Sequence, residues 1–267
     1  MPYVDTNGIQ MYYEESGSGD PVILIMGITA PGAVWEAHVA DWSQNFRCIT
    51  PDNRGVGLSD KPAGDYSAAM MADDYAGLMD ALGIQKARIV GVSMGSIIAQ
   101  ELALRHPDKV QSTVLMCPWA KCDRYATAIF NHMIICKSHL RPEQFMEWVQ
   151  TLIFTKPFWD NDEAHQGMLE GLAGAAIDSN PQPVHGLEGQ ATACINHDTS
   201  DRLKNITCPT LVIGGVNDMF TPKWMNDEVA AAIPNAEQHL YENAGHAFHW
   251  ECLEDFNPRI NDWLTAN

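Results

Sequence analysis

Gly91-Val92-Ser93-Met94-Gly95 constrains this chain more than any other segment. It stands between a short apolar run, Arg88-Ile89-Val90, and a helix-like run from Ser96 to Arg105. A serine with glycine two residues away on either side, where a strand becomes a helix, reads as a nucleophile elbow. The turn is so sharp that side chains at its first and last positions would strike the adjoining strand and helix. Glycine, lacking Cβ, avoids the collision. The serine hydroxyl is then presented beyond the sheet edge, near the positive end of a helix. An ordinary glycine-rich turn has the same composition, so the flanking pattern decides. Upstream, Met71, Tyr75, Leu78, Met79 and Leu82 recur at spacings of three and four, and Gly83 closes them. Helix, strand, serine turn and helix follow in the order such an elbow requires.

A serine hydroxyl is a poor nucleophile until a general base takes its proton, and the base needs an orienting acid. The C-terminal third supplies candidates for both. Thr210-Leu211-Val212-Ile213-Gly214-Gly215 is a buried-strand run, and Asn217-Asp218 follows its C-terminal end. Thr221-Pro222 then reads as an N-cap with proline at the first helical position. Farther on, His239-Leu240-Tyr241 reads as a short strand ending in Asn243-Ala244-Gly245-His246. In parallel α/β sheets, functional loops gather at the C-terminal ends of the strands. Ser93, Asp218 and His246 therefore fall at one sheet edge, as nucleophile, acid and base. Asp123, after the apolar run Thr113 to Met116, is an alternative acid. His249, one helical turn from His246, is an alternative base, although Trp250 and Glu251 place it at the start of the last helix. His106 and His197 read as surface or capping residues.

These landmarks resemble those of the α/β-hydrolase fold superfamily. The resemblance rests on the elbow, on Met26-Gly27-Ile28, on Asp52-Asn53-Arg54-Gly55-Val56-Gly57-Leu58-Ser59, on Gly215-Val216-Asn217-Asp218 and on Ala244-Gly245-His246. It covers nearly the whole length outside one insertion. Among subfamilies the chain is most similar to small bacterial esterases and lactonases, including enol-lactonase-like and acyl-homoserine-lactone-hydrolysing members. The order Ser, Asp, His along the chain is the superfamily's order. Acyl transfer develops negative charge on the carbonyl oxygen, and backbone N–H groups stabilise it. The resemblance implies that these donors are the amides of Met94 and Ile28. Members usually carry His before Gly27, where this chain has Met26, so a polar brace of that loop is missing. The Asp52–Ser59 loop reads as structural, with Arg54 paired to carboxylates; a role for Arg54 in binding an anionic substrate is the alternative.

The fold class expected is α/β, a mostly parallel twisted sheet with helices on both faces and an inserted helical cap. Tyr3-Val4-Asp5 and Ile9 to Tyr13 flank Thr6-Asn7-Gly8, a hairpin signal. Residues 1–118 and 199–267 read as the core, and residues 119–198 as the cap. Helix-like patches lie at Tyr125 to Cys136, Pro142 to Phe154 and Glu163 to Ala176, and Pro181, Pro183 and Gly186 break the run before a last helical stretch. Phe130, Met133, Phe145, Met146, Trp148, Phe154, Phe158, Trp159 and Met168 make the insertion apolar. Most should pack its helices together, and some should face Ser93. The final helix spans about Asp255 to Leu264, with Phe256, Ile260, Trp263 and Leu264 on its buried side.

A net charge of −18 opposes binding to nucleic acid or to an anionic membrane surface. No apolar run approaches the length of a membrane span. Neither a phosphate loop nor a dinucleotide fingerprint occurs, and no histidine or cysteine cluster has zinc spacing, so no cofactor or metal is expected. His246 and His249 at i, i+3 lack an obvious third ligand. Seven scattered cysteines without a C-x-x-C pair, and no basic-then-apolar leader, point to a cytoplasmic protein with reduced thiols. Cys252 reads as a packing residue. The expected partner is a small ester or lactone with an apolar acyl or alkyl part, and oligomeric state is unspecified. A perhydrolase, a thioesterase or a carbon–carbon bond hydrolase would use the same three residues, and a receptor could keep the fold without turnover.

Overall fold

The computed structural model describes residues 2–267. In chain order the elements are β1 (Tyr3–Thr6), β2 (Ile9–Ser16), β3 (Pro21–Ile25), α1 (Glu36–Trp42), β4 (Arg47–Pro51), α2 (Ala68–Ala81), β5 (Ala87–Val92), α3 (Met94–Arg105) and β6 (Val110–Met116). Five helices follow, α4 (Arg124–His139), α5 (Pro142–Ile153), α6 (Lys156–Trp159), α7 (Asp162–Ile177) and α8 (Val184–Ile195). The chain then returns through β7 (Thr210–Gly215), α9 (Lys223–Ala232), β8 (Glu237–Tyr241), α10 (Phe248–Glu251) and α11 (Leu253–Ala266).

The eight strands form one sheet in the order β1-β2-β4-β3-β5-β6-β7-β8. Only the β1–β2 and β2–β4 pairs are antiparallel. The six strands from β4 to β8 run parallel, so their C-terminal ends share one edge. The hairpin forms where Asn7-Gly8 permits it: both residues have positive φ, 43° and 80°, as a type I′ turn requires.

Strand periodicity divides the core. Along β3, Ile23 and Ile25 pack on the face carrying α2, α3, α8 and α9, whereas Val22 and Leu24 pack on the face carrying α1 and α11. The central strands β5 and β7 are buried along their whole length, which is why they read as continuous apolar runs rather than alternating ones. On α2, Met71, Tyr75, Leu78 and Met79 form the buried stripe, and Ser67 caps the first turn by accepting from the Met70 N–H. At its end, the Ile84 and Gly83 amides bond back to Met79 O and Asp80 O, the Schellman pattern. On α11 the four expected residues are buried, together with Asn257.

Three local expectations are revised. His197 is buried, not at the surface, and its Nε2 lies 3.2 Å from Thr199 Oγ1 and 3.3 Å from Gln100 Oε1. Burial lowers its pKa to about 3. Helix α9 starts at Lys223 with Pro222 as N-cap, one residue later than the sequence suggests, because Thr221 is engaged elsewhere. Gly186 lies inside α8 and does not break it. A Cβ there would sit 2.4 Å from Gly55 O, so its role is to let α8 rest on the Asp52–Ser59 loop. His106, by contrast, is the C-cap of α3 and pairs with Asp73 at 2.8 Å. Among the described residues, no helix is long and apolar enough to cross a membrane.

Candidate active site

Ser93 follows β5 directly and occupies φ 55°, ψ −119°, a conformation L residues rarely adopt. A Cβ on Gly91 would lie 2.2 Å from Gly95 O, and one on Gly95 would lie 2.1 Å from Ile25 O. The Ser93 amide donates to Met116 O on β6 at 2.8 Å, and Ser93 O accepts from both the amide and the hydroxyl of Ser96. The turn is thus held on both sides, and Ser93 becomes the N-cap of α3, where the helix dipole is positive.

Asp218 and His246 converge from the ends of β7 and β8. His246 Nδ1 lies 2.7 Å from Asp218 Oδ2. Both side chains are buried. Asp218 is saturated: Oδ1 accepts from the Phe220 and Thr221 amides at 2.7 and 2.8 Å, and Oδ2 accepts from the Thr221 hydroxyl at 2.8 Å as well as from His246. Four donors therefore converge on its two oxygens. A carboxylate only accepts, so His246 carries its proton on Nδ1 and leaves Nε2 bare. Thr221, read from sequence as a cap, is therefore a ligand of the acid. Its hydroxyl at position i+3 from Asp218 was the available signal.

Asp123 and His249, the alternatives, do other work. Asp123 caps α4 by accepting from the Ala126 amide at 2.7 Å. His249 lies in α10, with Nδ1 2.9 Å from Nε2 of buried His38.

Ser93 and His246 line one cavity of about 550 Å³. Met26, Gly27 and Ile28 form part of its floor, and Met133, Met146, Phe154, Phe158 and Met168 contribute from the inserted helices. Phe145, Trp148 and Trp159 do not line it. Phe145 and Trp148 instead pack together with ring centroids 6.2 Å apart. Ser93 Oγ is buried with no protein partner, so the hydroxyl and the imidazole share a cavity without a hydrogen bond between them. Such contacts commonly tighten only when substrate binds.

The Met26–Ile28 loop packs tightly on the serine: a Cβ on Gly27 would lie 3.3 Å from Ser93 Cβ. Its brace is Asn53, whose Nδ2 donates to Met26 O at 2.9 Å while Oδ1 accepts from the Tyr75 hydroxyl at 2.9 Å. Gln190 of α8 holds the far side, accepting from the Thr29 amide at 3.0 Å. The loop is thus braced through the Met26 carbonyl by Asn53 and through the Thr29 amide by Gln190. Arg54 does not face the cavity. It forms a buried bidentate pair with Asp74, through Nε at 2.6 Å and Nη2 at 2.5 Å.

Cys117, Asp218 and His246 bring potential metal-binding atoms within 4.8 Å of one another. Each is already committed. Burial and the Asp218 charge hold the Cys117 thiol protonated, and it donates to His246 O at 3.3 Å. The set fits a proton-relay pair better than a metal centre. All seven cysteines are free thiols, and Cys252 packs against the α1–α11 side of the core.

Residues 20–252 match the model of the alpha/beta hydrolase fold family. The chain belongs to that family. Across this alpha/beta hydrolase, the identity to BpoC of Mycobacterium tuberculosis, which is named as a non-heme bromoperoxidase, is 34% over 264 residues, covering 97% of this chain and 98% of BpoC. The enol-lactonase of Burkholderia xenovorans LB400 superposes with a TM-score of 0.88 at 25% identity, covering 99% of this chain and all of the other. A thermophilic esterase from Thermogutta terrifontis superposes with a TM-score of 0.85 at 27% identity, covering 99% and 97%.

Proposed function

We propose that this alpha/beta hydrolase is a serine hydrolase of neutral carboxylic esters or lactones, working through an acyl-enzyme. The observation that carries the reading is the strained Ser93, in an apolar cavity with the His246–Asp218 pair. His246 Nε2 takes the Ser93 proton as Oγ attacks the carbonyl carbon. Asp218 fixes the imidazole tautomer and stabilises the imidazolium that results. The Ile28 and Met94 amides hold the oxyanion; among the described residues neither has an acceptor in the protein. The protonated imidazole then gives its proton to the leaving alcohol, and water activated by the same imidazole releases the acid. Residues 119–198 act as the cap that supplies the apolar wall.

Among the described residues, no lysine or arginine lines the cavity. A substrate bearing a carboxylate would be desolvated there without a counter-charge, inside a protein of net charge −18. This favours neutral esters and lactones over carbon–carbon bond hydrolysis of dienoate-like acids. Resemblance to an enol-lactonase and an esterase supports the same reaction class.

The test is turnover of a panel of p-nitrophenyl esters, acyl-homoserine lactones, enol-lactones and thioesters, alongside labelling by a fluorophosphonate probe. Ser93→Ala should abolish both turnover and labelling with the fold intact. Undiminished turnover in that variant sinks the mechanism.

A further inference from the structure

His249 lies on the cavity wall beside the proposed catalytic pair, yet the mechanism makes no use of it. Behind it runs a buried chain of hydrogen bonds. Asn257 Nδ2 lies 3.2 Å from Ala37 O and 2.6 Å from Asp41 Oδ2. Both are pure acceptors, which fixes that amide atom as nitrogen and its partner as oxygen. Asn257 Oδ1 is 2.6 Å from His38 Nδ1, so His38 Nδ1 carries the hydrogen. Neutral His38 then has a bare Nε2, which lies 2.9 Å from His249 Nδ1. That nitrogen must be the donor, and the remaining nitrogen of neutral His249, Nε2, is left as a lone pair with no partner among the described residues. The ring cannot easily turn to hide it, because it is wedged against Trp250, centroid 4.2 Å away, and Trp35, at 5.8 Å.

Both rings stay neutral well below physiological pH. Burial lowers His38 to about 4 and, with His38 and His246 nearby, keeps His249 well below the ordinary histidine range. A protonated His38 would carry hydrogen on Nε2 and reverse the bond to His249, so this neutrality keeps His249 Nδ1 the donor.

We propose that His249 Nε2 is a tautomer-locked hydrogen-bond acceptor that selects substrates carrying a hydroxyl or a secondary amide N–H, in a largely apolar cavity that Gln150 also lines. The proposal rests on the hydrolase reading and deepens it to a substrate class: a neutral ester or lactone with one hydrogen-bond donor. Such a donor buried without an acceptor would suffer its full desolvation penalty, and His249 removes that penalty.

Two measurements decide it. Nitrogen-15 NMR of the histidine side chains in the intact wild-type protein should report His249 with hydrogen on Nδ1 and a bare Nε2. Hydrogen on Nε2 overturns the proposal, and this readout needs neither turnover nor a variant. Hydrolysis of p-nitrophenyl hydroxybutanoate, hydroxyhexanoate and hydroxyoctanoate is then compared with esters in which methyl replaces the terminal hydroxyl. His249→Phe should lower the hydroxyl-to-methyl ratio of kcat/KM at the chain length that reaches the ring by on the order of tenfold, with the methyl esters still hydrolysed. A ratio unchanged at every length overturns the proposal, whereas wild-type protein inert to all these esters overturns the hydrolase reading instead. Should His249→Phe fail to fold, hydrogen on His249 Nε2 in the wild-type spectrum still overturns the proposal, and His249→Leu repeats the hydroxyl-to-methyl comparison.

Discussion

Three buried histidines make stability depend steeply on mild acid. Burial lowers His38 to about 4 and His197 to about 3, and leaves His249 well below its ordinary range. In the unfolded chain each titrates at about 6.5. Between these values the unfolded state binds protons that the folded state refuses, so stability falls as pH falls. At pH 5 an unfolded histidine is almost fully charged while these three remain neutral. His38 and His197 therefore each cost about 2 kcal/mol relative to neutral pH, and His249 acts in the same direction. Together these costs are a large share of the stability of an ordinary domain, about 5–15 kcal/mol. Burial raises the Asp52 and Asp74 carboxyls, which act in the opposite direction as pH falls. Urea unfolding followed by tryptophan fluorescence at pH 7.5, 6 and 5 should show the decline. His197→Gln, distant from the cavity, isolates one share: whatever its absolute stability, its loss between pH 7.5 and 5 should be about 2 kcal/mol smaller than that of wild type. Parallel curves for the two proteins would refute the reasoning.

Other perturbations address the site and its supports. Thr221→Val removes one of four donors to the Asp218 carboxylate, and should lower stability by about 1.5–3 kcal/mol and reduce kcat with little change in KM, as read by denaturation and steady-state kinetics. Asn53→Leu frees Met26 O and should lower kcat by on the order of a hundredfold if the Ile28 amide holds the oxyanion; full kcat in a folded variant argues against that donor. Arg54→Met strands the buried Asp74 charge and should cost about 3–5 kcal/mol in chemical denaturation, with KM for neutral esters unchanged because Arg54 does not face the cavity.

Legibility followed the range of the interactions. The elbow could be read because its cause is local: two glycines within five residues, flanked by a strand and a helix. The strands β5 and β7 are legible as continuous apolar runs, and the buried face of α11 through its helical periodicity. Helix α9 was placed one residue early because a nearby carboxylate, at Asp218, competes with the helix for Thr221. His197 reads as a surface residue because Gln100, which meets its ring in the fold, lies 97 positions away in sequence.

The amino-acid sequence by itself determined the alternation of strands and helices, the serine turn and the succession of Ser93, Asp218 and His246, since each follows from patterns a few residues long. Only tertiary structure decided which polar groups meet across the sheet. The Asn53 brace of the Met26 loop, the Arg54–Asp74 pair and the chain from Asp41 through Asn257 and His38 to His249 join residues 20 to 219 positions apart. Hydrogen bonds and tautomers are set by partners within about 3 Å, and at such separations proximity is a property of the folded chain rather than of any segment of it.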